Sequence, residues 1–313
     1  MKKWFIISAL LLFSCNDGDI ITETLEFGDT FEACGELVLY KVKTNPNETL
    51  SFQITSPAIS LEDLLQTEPA SDTNPPLVNL VNPTPASFTV GSSNILTFRS
   101  YDAAPNNIFC NDVPPTNIVI TQDFTSSSGE AAFTISLVED DNDGIPAEFE
   151  DLNGNGDLND DDTDGDGLPN YLDPDDDGDN VLTINEEVNF DASLANPLSL
   201  ALNTNSNEDN IPNYLDNDDD GDGVLTINEE QFTQNLNPTD DISNSTIGPD
   251  YLNFNEIESV TTMEYRDHII TQTFTVALKF FNITFPNIQY TELDFGTLNS
   301  TETTKTRIYK PEF

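Results

Sequence analysis

NYLDPDDDGDNVLTINEE, residues 170–187, recurs as NYLDNDDDGDGVLTINEE at residues 213–230, with only Pro174 and Asn180 replaced, by Asn217 and Gly223. Duplication is the simplest origin of such a pair. Even the exits match: Phe190 stands ahead of Asn196 and Pro197, as Phe232 stands ahead of Asn237 and Pro238. Asp250, Tyr251, Leu252 and Asn253 read as the remnant of a third copy. Within each copy, acids alternate with Gly and Asn, while Val181, Leu182, Ile184 and their counterparts recur in phase. A solvated acidic tail has no such fixed apolar offsets, so the middle of the chain is read as an ordered, loop-rich repeat module.

On either side the hydrophobic period is two, that of strands. Leu50, Phe52 and Ile54 alternate with Thr49, Ser51 and Gln53, and Phe133, Ile135 and Leu137 with Thr134 and Ser136. Later in the chain Ile270, Phe274, Val276, Leu278 and Phe280 share one face, and Thr271, Thr273, Thr275 and Lys279 the other. The expected fold is mainly β, with antiparallel β-sandwich-like segments at both ends flanking a loop-rich tandem repeat module. The boundaries fall at 21–138 for the N-terminal β domain, 139–253 for the repeats and 254–313 for the C-terminal β segment. Sixty residues make a marginal core alone. Two arrangements are open: the last segment completes the N-terminal sandwich, making the repeats an insertion, or three domains stand in a row. Residues 67–85, with five prolines, are expected as a long surface loop.

The acidic spacing carries the chemistry. Calcium takes six to eight oxygens, and a 12-residue loop supplies them from positions 1, 3, 5, the carbonyl of 7, 9 and an acid at 12. Position 6 turns sharply and needs Gly, or next best Asn. The loop beginning at Asp218 fits, with Asp220, Asp222, Gly223, the carbonyl of Val224, Thr226 and Glu229. Its duplicate offers Asp175, Asp177, Asp179, Val181, Thr183 and Glu186, with Asn180 at the turn. A third runs Asp162, Asp164, Asp166, Leu168, Asn170 and Asp173, and a fourth Asp151, Asn153, Asn155, Asp157, Asn159 and again Asp162. Two poorer matches begin at Glu139, through Asp141, Asp143 and Gly144 to Glu150, and at Asn205, through Asn207 and Asp209 to Asp216. The segment from 139 to 230 has no His or Cys for zinc, and magnesium would demand stricter octahedral geometry, so calcium is the expected cofactor.

These tandem loops, with Pro169 directly after Asp162 to Leu168, resemble thrombospondin type 3 repeats. The Asp218 loop resembles the EF-hand loops of dockerin-like bacterial modules. The resemblance implies calcium-dependent folding into a compact rod around metal. At the N-terminus, Lys2 and Lys3 precede an apolar run from Trp4 to Phe13 that is too short to span a bilayer. Its end, Leu12, Phe13, Ser14 and Cys15, resembles the lipobox of bacterial lipoproteins. That implies a signal over 1–14, lipid on Cys15 and a tether over 15–20. Together with Asp17, Asp19 and the repeats, it makes the chain similar to uncharacterised surface lipoproteins of Bacteroidota. The expected location is the outer membrane or cell surface, with the membrane engaged through the lipid. Cys34 and Cys110 then remain as a pair in an oxidising compartment, expected as a disulfide.

Charge narrows the partners. Acidic residues number 57 against 10 Lys and Arg, and 30 of the acids lie between 139 and 230, so nucleic acid is excluded as a partner. The chain has no Gly-x-Ser-x-Gly, HExxH or phosphate-binding glycine loop, and its one histidine, His268, is expected as an ordinary surface side chain, so the protein is read as no enzyme. The leading function is a calcium-stiffened spacer that holds a β domain at a set distance or angle from the membrane, with adhesion to a glycan or protein. The alternatives are a glycan-binding component of nutrient uptake, or a carboxylate-based glycosidase, whose acid pair no sequence reveals.

Overall fold

The computed structural model describes residues 25–313 apart from 36, 72–73, 112, 114 and 201. The expected signal, tether and Cys15 lie outside the described residues. Strands are β1 (Thr30–Cys34), β2 (Val38–Thr44), β3 (Asn47–Gln53), β4 (Thr67–Ser71), β5 (Asn74–Leu80), β6 (Phe88–Val90), β7 (Ile95–Tyr101), β8 (Ile120–Thr125) and β9 (Ser128–Asp140). After the acidic segment come β10 (His268–Thr284), β11 (Gln289–Leu298) and β12 (Thr304–Tyr309). The fold is mainly β, as expected.

Ten strands join in one sheet, in the order β6-β9-β10-β11-β1-β2-β3-β7-β8 with β12 also on β10. Every pair is antiparallel except β1 with β11. The sheet curls on itself. Phe52 of β3 and Phe280 of β10 have three strands between them in the sheet, yet their rings meet edge-on at 4.9 Å. Phe280 also meets Phe295 of β11 at 5.3 Å, and Phe295 meets Phe31 of β1 at 5.2 Å. One apolar cluster therefore draws on both ends of the chain. Along β10 the alternation works as read: Ile270, Phe274, Val276, Leu278 and Phe280 are buried, while Thr273, Thr275 and Lys279 are exposed. Cys34, at the end of β1, is disulfide-bonded to Cys110, closing a sequence separation of 76 residues.

The topology fixes where the acidic segment sits. β9 and β10 pair from Thr284 against Ser128 to Thr271 against Asp140. The chain thus leaves the sheet at Asp140 and rejoins it at His268 on the neighbouring strand. Between these points the described elements are eight 3-10 turns.

Two expectations are corrected. Residues 67–85 do not form a bare loop, since β4 and β5 pair as an isolated two-stranded ribbon with Pro69 opposite Val78. In a two-stranded ribbon half the backbone N–H groups face outward, so prolines can occupy sites where no donor is required. His268 is not a surface side chain; it is fully buried at the start of β10.

Candidate metal centres

Each acidic unit of twelve residues closes in the same way. In seven of the eight units the 3-10 turn covers positions 9 to 11, as at Asn170–Leu172, Thr183–Asn185, Asn213–Leu215 and Thr226–Asn228. The pattern reaches further than the acids do. Pro238–Asp240 and Asp250–Leu252 repeat the turn in units starting at Glu230 and Ile242, which lack the full acidic set. In five of these seven units the side chain at position 9 supports the turn by accepting the backbone N–H of position 2, while Ala147 and Pro238 hold that position in the other two. Asn170 accepts from Thr163 at 3.0 Å, Thr183 from Asp176 at 3.2 Å, Asn213 from Ser206 at 2.9 Å, Thr226 from Asp219 at 3.3 Å and Asp250 from Ser243 at 2.7 Å.

The loop interior is lined by amides. Position 6 has positive φ in all six acidic loops, at Gly144, Gly156, Gly167, Asn180, Asn210 and Gly223, as expected. So does position 4, at Asn142, Gly154, Gly165, Gly178, Glu208 and Gly221, a feature the spacing rule had not singled out. This backbone turns N–H groups onto the acids. Gly165 and Gly167 donate to the two oxygens of Asp162 at 2.8 and 3.1 Å, and Gly221 and Gly223 to those of Asp218 at 3.1 Å each. Asp179 and Asn180 do the same for Asp175 at 3.2 and 3.0 Å.

Positions 3 and 5 leave an oxygen over. Asp164 Oδ1 accepts from Asp166 N at 3.0 Å and Asp166 Oδ1 from Leu168 N at 2.7 Å; Asp220 and Asp222 use Oδ1 likewise, toward Asp222 N and Val224 N. The Oδ2 atoms of Asp164, Asp166, Asp179, Asp220 and Asp222 are buried with no hydrogen-bond partner among the described residues. Both oxygens of Asp177 and Glu186, and Oε1 of Glu229, are in the same condition. A buried carboxylate oxygen without a donor costs several kcal/mol, and such oxygens converging in threes are compatible with a bound cation.

They do converge. Donor atoms within 4.8 Å of one another gather in Asp162, Asp164 and Asp166, and in Asp175, Asp177 and Asp179. A third group, Asp141, Asp143 and Glu150, belongs to a loop whose sequence is a poorer match, and its position 1, Glu139, is paired with Arg307 at 2.7 Å. The fourth expected loop differs. The side-chain amides of Asn153 and Asn155 donate to Asp160 at 3.0 and 2.8 Å, and most of its residues, including Asp157 and Asn159, are exposed. Asp151 receives the N–H groups of Asn155 and Gly156.

Three contributors are not legible from the loop rule. His268 Nδ1 lies 2.9 Å from Asp173 Oδ1, and His268, Asp166 and Asp173 form a further convergent group. Asp219, at position 2, joins Asp179 and Glu186 across the duplication. Asp176, its counterpart, is equally buried. The doubled run of three aspartates, where only alternate ones serve a loop, is the available signal.

Electrostatics follows burial. Desolvation, then the charges of Asp143 and Asp140, pushes Glu150 up to about 9. Desolvation followed by Asp220 and Asp222 does the same to Glu229, and Asp219 also rises to about 9, through desolvation and then Asp177. Asp164 rises to about 7 through burial and Asp166. Asp175, fully buried, reaches only about 6, because His268 and the amides of Asn180 and Asp179 oppose desolvation. Burial lowers His268, against the pull of Asp175 and Asp166.

Asn180 also docks its loop to the segment that leads into β10. Its Oδ1 accepts Arg266 N at 3.0 Å, its Nδ2 donates to the Glu264 carbonyl at 3.2 Å, and Arg266 Nη1 donates to its carbonyl at 3.0 Å. Leu168 and Leu172 of the acidic segment also join Ile270 of β10 in a small apolar cluster.

A family model described as BamM C-terminal matches residues 140–210, from the end of β9 through the first acidic loops. No curated protein and no solved structure matches the chain. Among the described residues no helix is long and apolar enough to cross a membrane.

Proposed function

We propose that the chain is a calcium-binding cell-envelope lipoprotein whose acidic array folds around calcium and acts as a stiff, non-catalytic element of a surface-interaction protein. The observation that carries this reading is the set of buried, unpartnered carboxylate oxygens converging at 141–150, 162–173 and 175–186. Carboxylate donor sets, with His268 the one nitrogen among them, suit a hard cation, and calcium tolerates the irregular geometry of a loop better than magnesium does. The Asp218 loop, with Asp220, Asp222, Val224, Thr226 and Glu229 in the same positions, is assigned the same role.

Envelope placement is supported by the lipobox-like Leu12 to Cys15 and by the match to the BamM C-terminal model. Likeness to thrombospondin type 3 repeats rests on the loop spacing. The spacer takes a particular form here. Both ends of the array sit on neighbouring strands, so it is an arm held at both ends by the sheet rather than a link in series with the lipid. Cation bound between its loops would stiffen that arm against the repulsion of its own carboxylates. The partner is a glycan or protein engaged by the β surface or the arm.

Calorimetric titration of the full chain with calcium, with small-angle scattering in parallel, tests the reading. Several calcium ions bound, with affinities on the order of 0.1 to 1 mM for the weaker sites, and compaction on loading are expected. No heat at millimolar calcium, or the same scattering profile in chelator, overturns it.

A further inference from the structure

The doubled aspartates point past single loops. Asp219 is 1% exposed and neither of its carboxylate oxygens has a partner among the described residues. Its backbone N–H is held by Thr226 in its own loop, yet its side chain leaves that loop for Asp179 and Glu186 of the other copy. There, Asp179 Oδ2 and both Glu186 oxygens are buried and unpartnered. Asp176 stands in the same place 43 residues earlier, 2% exposed, its N–H held by Thr183 and its Oδ1 unpartnered. Two copies of one local structure thus bury the same residue with a carboxylate oxygen unpartnered, and the geometry brings Asp219 to a group contributed by an earlier loop.

We infer that Asp219 is a shared cation ligand, which completes a calcium site with Asp179 and Glu186 of the other copy. The inference rests on the calcium reading above and adds a connection to it. This site closes only when two separate loops are folded against each other, so loading couples the two repeats, and the cation is the staple between them. A loop-only site would leave position 2 free to face solvent, as the exposed Thr163 does in the Asp162 loop.

The test is a double-substitution cycle on the full chain, read by calcium calorimetry and by the melting temperature in chelator. Asp219→Asn keeps the shape of the side chain and removes a buried charge, so it should leave melting in chelator unchanged or higher while one calcium is lost or weakened by more than about tenfold. Glu186→Gln should lose the same ion, and the double variant no further ion, because both residues serve one site. If wild type binds calcium and Asp219→Asn binds equally well, or if Asp219→Asn and Glu186→Gln each remove a different ion, the shared-ligand inference is overturned while the calcium reading stands. If wild type binds none, both fall.

Discussion

The curled sheet and the acidic arm are held by opposite chemistry. The sheet buries Phe31, Phe52, Phe280 and Phe295 in ring contact, with Leu39, Leu50, Leu96 and Leu278 around them. That burial is favourable in plain water and depends on no solute. The arm has little of it. Its apolar cluster consists of Leu168, Leu172 and Ile270, the last borrowed from β10, and its most buried side chains include Asp175, Asp179, Thr183 and Thr226. Carboxylates occupy the place where a domain of this size keeps its core. One region thus carries its stability within its sequence, and on the calcium reading proposed above the other draws it from a cation.

Chelation should separate the two most sharply. In excess chelator, amide hydrogen exchange should accelerate throughout 141–253, while β2, β3, β9 and β10 keep their protection. Loss of protection in both together would mean that the sheet depends on the arm.

pH should move the two regions next. Without cation, Glu150, Glu229 and Asp219, pushed up to about 9, keep protons in the folded arm that they release on unfolding. Unfolded carboxylates titrate near 4, so between about pH 4 and about pH 9 the folded arm binds more protons and its stability falls as pH rises. With calcium the sign reverses, since the metal displaces those protons and binds more tightly as pH rises. Melting at about pH 5 and about pH 8 should therefore show opposite slopes with and without chelator. Parallel slopes would place these carboxylates in solvent.

Phe280→Ala opens a cavity where three rings meet and should cost the sheet about 3–5 kcal/mol, measured by denaturant unfolding, with the number of bound calcium ions unchanged. A lost ion would show that the sheet positions the arm's sites. The smallest effect belongs to the seam. Asn180→Gly suits the positive φ but removes the side-chain hydrogen bonds to Arg266 and Glu264, and should cost about 1 kcal/mol with calcium affinity nearly unchanged. A large affinity loss would make the docking contact part of the binding step.

Much of this organisation could be read from the chain. The alternation from Ile270 to Phe280 gives the strand and its buried face. The spacing of Asp162, Asp164 and Asp166, and of Asp175, Asp177 and Asp179, gives two of the convergent groups. Cys34 and Cys110 give the disulfide. Residues 67–80 misled because proline weighs against strands in general, although an isolated ribbon tolerates it. His268 misled because polar residues at strand starts are usually solvated, and its burial depends on Asp173, far away in the chain. Glu139 shows the same limit: its spacing makes it a loop ligand, and the ion pair with Arg307 takes it away.

The division follows the range of the forces involved. Loop closure is local, because position 9 reaches position 2 and the amides reach position 1 within a single twelve-residue unit, so residue spacing alone specifies it. Strand faces are local for the same reason, since a side-chain period of two needs no partner to be seen. Pairing of β9 with β10, the burial of His268 and the passage of Asp219 into the site of an earlier loop join residues that chain spacing does not relate. Those depend on how the sheet curls and on which carboxylates can be brought close enough to share one cation, and only the folded chain sets that distance.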